Sequence, residues 1–122
     1  MNRLHHSLIA LLVALTTWSA TAQTTYRVED VPNVQLIDYT RFVSDPADSI
    51  DDDEVALNRR LGQLRDSLSV EIAIVVIPAY DVEKYSSARE FANELFNTWG
   101  IGDKETNRGL LIQLVTREDL RE

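Results

Sequence analysis

Asp103, Glu105 and Asn107 alternate along a loop flanked by Gly102 and Gly109. Oxygen ligands at every second position are the spacing with which a loop wraps a hard cation. The same residues serve equally as a polar turn in which Asp and Asn bond their own backbone. Asp51, Asp52, Asp53 and Glu54 form a second acidic group, but the run lacks the alternating ligands and central glycine of a calcium loop, so helix capping explains it better. Asp81 reads as an N-cap, and Asp45 as an acid in the turn Val43-Ser44-Asp45-Pro46. Oxygen is the only ligand type these sites offer. The chain has no cysteine, and both histidines, His5 and His6, fall in the first 22 residues. Without them a Ser-His-Asp triad, a Cys-His nucleophile and a usual zinc site are all excluded. Carboxylates, hydroxyls, Lys84, Lys104, arginines, and Ca²⁺ or Mg²⁺ held by oxygen are what remains.

The elements that position these groups are read most clearly between Phe96 and Val115, FNTWGIGDKETNRGLLIQLV. Gly100 stands where a helix needs a residue that tolerates positive φ, and Ile101 follows where an apolar side chain folds back on the last turn. A helix therefore stops at Trp99. Turn residues occupy 102–109, and Leu110, Leu111, Ile112, Leu114 and Val115 resume as a strand. Upstream, Val70 to Ile77 reads VEIAIVVI, apolar on both faces except at Glu71, as in a parallel sheet covered by helices on both sides. Tyr85, Ala88, Ala92, Leu95 and Trp99, widened by Phe91, form the stripe of the helix between them. Strand, helix and strand make a right-handed βαβ crossover.

An earlier helix opens at Asp51 as N-cap, with Glu54 completing a capping box and Ile50 meeting Val55 as a hydrophobic staple. Leu57, Leu61, Leu64 and Leu68 are its apolar stripe. Its acidic start suits the positive end of the helix dipole, each charge contributing about 0.3–1 kcal/mol when exposed. Residues 34–44 lack clean alternation and read as irregular or edge strand. Trp99 and its aromatic neighbours belong to the core. Gly100 and Gly102 follow a helix instead of opening one, so they are no phosphate loop, and a dinucleotide site is excluded. The βαβ geometry sets Asp81 beyond the carboxyl end of the first long strand and Asp103 before the amino end of the second, roughly 26 Å apart at about 3.3 Å per residue. One ion cannot reach both. The fold rule favours Asp81 as a ligand position and the sequence pattern favours Asp103.

Residues 1–22 read as a secretory signal peptide: Arg3, an apolar run from Leu8 to Leu15, and Ala20-Thr21-Ala22 before Gln23. Eight apolar residues are too few to span a bilayer, so no membrane span is expected in the mature chain. The product is expected outside the cytoplasm, periplasmic or extracellular, with 23–30 short, polar and mobile. Its formal charge of −8 becomes −9 once Arg3 leaves. Such a balance repels phosphate backbones and excludes nucleic acid as a partner.

W-G-I-G-D-K-x-x-N-x-G-x-L-[IL], at Trp99 to Ile112, resembles the TPM-domain family. Val31-Pro32-Asn33, Val43-Ser44-Asp45-Pro46, Leu57-Asn58-x-x-Leu61-x-x-Leu64 and the strand from Val70 to Pro78 agree with it in order and spacing, so the likeness runs through residues 31–115. The resemblance implies an α/β fold, a βαβ-containing α/β/α sandwich occupying residues 31–122. The sandwich is incomplete as given, because the family's pattern continues with a further strand, a glycine-rich turn and a helix. A chain of this kind is expected to be truncated or completed by a partner, with homo-oligomers as one outcome. The family includes thylakoid-lumen proteins of photosystem II repair and bacterial exported proteins. It therefore implies a noncatalytic binding or accessory protein whose partner is a protein or a membrane complex, with a divalent cation as structural support. The alternatives are a metal-assisted acid phosphatase and an inactive fragment. In the phosphatase reading Asp103, Asn107 and Asp45 hold the metal, Ca²⁺ or Mg²⁺.

Overall fold

The computed structural model describes residues 24–102 and 105–121. The expected signal peptide, its expected cleavage site and Asp103 lie outside the described residues. From residue 24 the chain forms β1 (Thr25–Tyr26), a 3-10 turn at Val28–Asp30, α1 (Val34–Ile37), β2 (Val43–Ser44) and α2 (Asp53–Leu68). It continues through β3 (Glu71–Ile77), β4 (Ala79–Tyr80), α3 (Ala88–Trp99), β5 (Gly109–Val115) and a second 3-10 turn at Glu118–Leu120. Among the described residues no helix is long and apolar enough to cross a membrane.

The two apolar runs build the sheet as their composition demands. β3 and β5 pair in parallel over their whole length, Glu71 level with Gly109 and Ile77 with Val115. β2 pairs in parallel on the other side of β3, giving the order β2-β3-β5. Alternation then divides the side chains between two faces. Ile72, Ile74 and Val43 point to one face, where Leu57, Leu61 and Leu64 of α2 cover them around Phe42. Val75, Ile77 and Val115 point to the other, under Phe91 and Leu95 of α3. The result is an α/β/α sandwich. Both connections, β2 to β3 and β3 to β5, step the same way across the sheet, yet their helices lie on opposite faces. The two crossovers therefore have opposite hands, and the rule of right-handed connection is met by one of them only.

Several local expectations are corrected. Residues 34–44 are not one irregular strand: they form a four-residue helix and then the two-residue β2. α2 begins at Asp53, not Asp51, because Asp48 and Asp51 both take positive φ, 52° and 45°, and the chain turns twice before the helix can start. Asp52 is the N-cap without a side-chain cap bond, and Val55 is exposed, so neither capping box nor staple forms there. Asp53 and Glu54 still sit in the first turn, where the dipole favours them. α3 is capped by Ser87, whose Oγ accepts the Glu90 N–H at 3.1 Å, not by Asp81. The stretch expected to be loose before residue 31 is tied down: β1 pairs with β4, and Val28 is buried with its N–H donated to the Tyr85 hydroxyl at 3.0 Å.

Candidate functional site

At the amino edge of the sheet, the motif of Trp99 to Gly109 closes a loop by backbone contact. Gly100 ends α3 at φ 63°, and the buried Ile101 folds back on the helix. Gly102, at φ 93°, and Gly109 lie so close that a β-carbon on Gly109 would come within 2.7 Å of the Gly102 backbone. The Gly102 N–H is donated to Oε2 of Glu71 at 2.9 Å. Asn107 holds positive φ, 54°, a conformation Asn tolerates better than most residues, and is exposed. The glycines and the asparagine are thus accounted for by the turn.

Beside this loop opens a cleft of about 440 Å³ whose wall includes Gln35, Tyr39, Phe42, Arg65, Glu71 and Arg108. The Arg65 guanidinium lies 4.0 Å from the centroid of the Tyr39 ring and 4.9 Å from that of Phe42, and Nη1 donates to the Tyr39 carbonyl at 2.8 Å. Arg108 reaches back to the Leu68 carbonyl at 3.1 Å, at the negative end of α2. Gln35 donates to the Ile72 carbonyl at 3.0 Å, which fixes α1 against β3. Asp66 and Glu71 also line the cleft, so two cations face two anions. α1 leaves Leu36 84% and Ile37 77% exposed, and Tyr39 just after it 68%. Such exposure of three large apolar side chains in four residues has no role in the core.

The carboxyl edge carries the other acids. Asp45 follows β2 and accepts the Ile50 N–H through Oδ2 at 2.9 Å, whereas its Oδ1 is buried with no hydrogen-bond partner. Asp81 follows β4 and accepts from Arg27 Nε at 2.9 Å and from the Glu83 N–H at 3.0 Å. The Arg27 hydrogen bond, ahead of the Glu83 N–H, holds the Asp81 carboxyl below the usual carboxylate range and raises the Arg27 guanidinium in turn. Asp81 is occupied as a brace between β1 and β4.

Of the expected metal ligands, Asp103 lies outside the described residues, and the structure separates the other two. Ser44 is level with Val75 and Gly109 with Glu71, so Asp45 and Asn107 stand at opposite ends of the strands, on the order of 20 Å apart at about 3.3 Å per residue. One ion cannot take both as ligands. Among the described residues no three His, Cys, Asp or Glu side chains converge on one point. Asp45 alone of the described pair offers a buried, unpartnered oxygen. The residues that sequence reasoning missed are Arg65, Tyr39, Arg108 and Gln35. Nothing local marks them, since Arg65 and Tyr39 stand 26 positions apart.

The TPM domain family, under the name TPM phosphatase, matches residues 43–121. Among solved structures, the solution NMR structure of the N-terminal domain of a protein from P. gingivalis is similar at 39% identity and a TM-score of 0.64. The match covers 76% of this chain and 58% of that one, so the chain spans less than two thirds of that solved domain. Curated proteins give no match.

Proposed function

Because this chain belongs to the TPM domain family, we propose that it is an exported, noncatalytic module that binds a protein partner or membrane complex in maintenance of the envelope. The observation that carries this reading is the amino-edge cleft with its apolar border: Arg65 stacked on Tyr39, Arg108 beside it, and Leu36 and Ile37 held in water. Tyrosine and arginine are the residues on which binding energy concentrates, and a stacked arginine arrives with little rotamer freedom left to lose. A photo-crosslinker at position 39 in the exported protein is expected to trap a discrete partner, and one at position 118, on the far edge, to trap none. Equal labelling from the two positions, or none from either, removes the reading.

A second reading, a metal-assisted acid phosphatase, is favoured by Asp45. Its orphaned Oδ1 sits at the carboxyl edge of the sheet, where open α/β sheets place their ligands, and a divalent cation would give that oxygen a partner. The name of the matched family points the same way. Hydrolysis of p-nitrophenyl phosphate that requires Ca²⁺ or Mg²⁺ and is lost in Asp45→Asn supports it. Absence of turnover in the wild-type chain with either ion removes it.

A further inference from the structure

Arg65 is a desolvated cation that the chain pairs poorly. Its side chain is 20% exposed, and the carboxylate against it, Asp66, meets Nε at 3.4 Å, the far limit of a hydrogen bond, and is itself 76% exposed. Arginine is seldom so buried without a good partner. Nη1 donates to the Tyr39 carbonyl at 2.8 Å, and Nη2 meets no acceptor among the described residues. The rings of Tyr39 and Phe42 fix the guanidinium, which removes its rotamer freedom before any ligand arrives.

The surroundings of Arg65 point to what completes it. Phe42, Arg65 and Asp66 line both the amino-edge cleft and a second hollow of about 410 Å³ that follows α2 back toward Val55, so the guanidinium sits between two depressions. Apart from Arg108 both walls are built from residues 35–71, and no residue of β5 lines either. Val55 in the second hollow is 66% exposed, and Leu36 and Ile37 stand in water on the helix that carries Gln35.

Resting on the reading of this cleft as a partner site, we infer that Arg65 receives the carboxylate of an internal Asp or Glu in an otherwise apolar segment of the partner protein. A planar carboxylate matches the edge of a guanidinium. Arg108, exposed and bonded to the Leu68 carbonyl, adds a second positive charge to the same wall. Hollows on both sides of Arg65 suit a segment that continues in both directions, not a chain end. Phosphate fits less well, because Asp66 and Glu71 stand on the same wall and oppose two negative charges more than one. A net charge of −8 likewise opposes an anionic bilayer.

Binding is measured on the full chain with blocked nonapeptides of alternating serine and leucine that differ only in the central residue, Glu, Gln or phosphoserine. The Glu peptide is expected to bind about tenfold or more tighter than the Gln peptide, as a charge-assisted hydrogen bond requires. Salt should narrow that preference. Arg65→Gln should abolish it, and Arg108→Gln, which leaves the stack intact, should reduce it by a smaller factor. Urea unfolding checks that each variant folds. Equal binding of the Glu and Gln peptides to the wild-type chain, or no binding of either, overturns the proposal without recourse to a variant. So does a preference that survives in folded Arg65→Gln, or tighter binding of the phosphoserine peptide or of phosphatidylglycerol vesicles. A discrete crosslink from position 39 that is undiminished in Arg65→Gln would keep the partner reading and remove the carboxylate, whereas the absence of any crosslink removes both.

Discussion

The carboxylate of Glu71 accepts the backbone N–H of Gly102 at 2.9 Å, joining the first residue of β3 to the loop that leads into β5. Glu71 is the one charged side chain in an otherwise apolar strand, and this bond is the reason it is there. Glu71→Ala removes the acceptor of that N–H in a half-buried site. A hydrogen bond to a charged group contributes about 1.5–3 kcal/mol, and that loss is expected in urea unfolding. Glu71→Gln keeps an acceptor and should lose less. Equal losses in the two variants would show that the side chain packs there and does not tether the loop.

Gly100 and Gly109 of the same loop are predicted to differ sharply. Gly100 has positive φ but open space around its Cα, so Gly100→Ala meets backbone strain alone and should cost about 1 kcal/mol. A β-carbon on Gly109 would come within 2.7 Å of Gly102 Cα and N and of the Ile101 carbonyl oxygen, all of them backbone atoms that cannot rotate away. Gly109→Ala must separate two chain segments and should cost at least about 2–3 kcal/mol, as overpacking does. Thermal unfolding of the two alanine variants ranks them; a Gly100→Ala protein as unstable as Gly109→Ala would contradict the contact.

Asp81 links stability to acid. Its carboxyl lies below the usual range in the folded chain because Arg27 and two turn N–H groups favour the anion. A depressed carboxylate contributes stability that is fully present above the unfolded value, about 3.9, and is lost as pH falls through the lower folded value. Wild type should therefore exceed Asp81→Asn in stability at neutral pH, and the gap should close below about pH 4. The difference is read from urea midpoints along a pH series. A gap that stays constant to pH 2 would mean that the hydrogen-bond geometry, not the charge, supports the brace.

Elements set by local chemistry were legible: the αL stop at Gly100, the buried runs of β3 and β5, and the Phe91–Leu95–Trp99 side of α3. Those set by distant partners were not. β1 and β4 are two residues each, too short for any period to register, and they exist because they pair with one another across 54 positions. Val28 and Tyr85 are joined across 57 positions by one buried hydrogen bond. The start of α2 was misread because a capping-box pattern cannot report that Asp51 takes positive φ. The Arg65–Tyr39 stack required the tertiary fold to bring α2 against the segment before β2.

Asn58 was legible as part of a helix motif without any assigned role, and the structure supplies one. Its Oδ1 accepts the N–H of Phe42 at 2.7 Å and of Val43 at 3.2 Å, so a side chain of α2 holds the backbone that enters β2. Both residues are buried, Phe42 2% and Val43 0% exposed, and no water competes for their N–H groups. Asn58→Ala strands two donors at about 1–3 kcal/mol each, and the pair should cost about 2–4 kcal/mol because relaxation recovers part of the loss. Asn58→Asp keeps the acceptor and should retain much of the stability at neutral pH. Since β2 is only two residues long, its position depends on this clamp, and Asp45 follows it directly. Amide exchange at Phe42 and Val43 is therefore expected to accelerate in Asn58→Ala more than exchange in β3 or β5. Uniform acceleration across the sheet would show that Asn58 stabilises the fold at large and not the strand that carries Asp45.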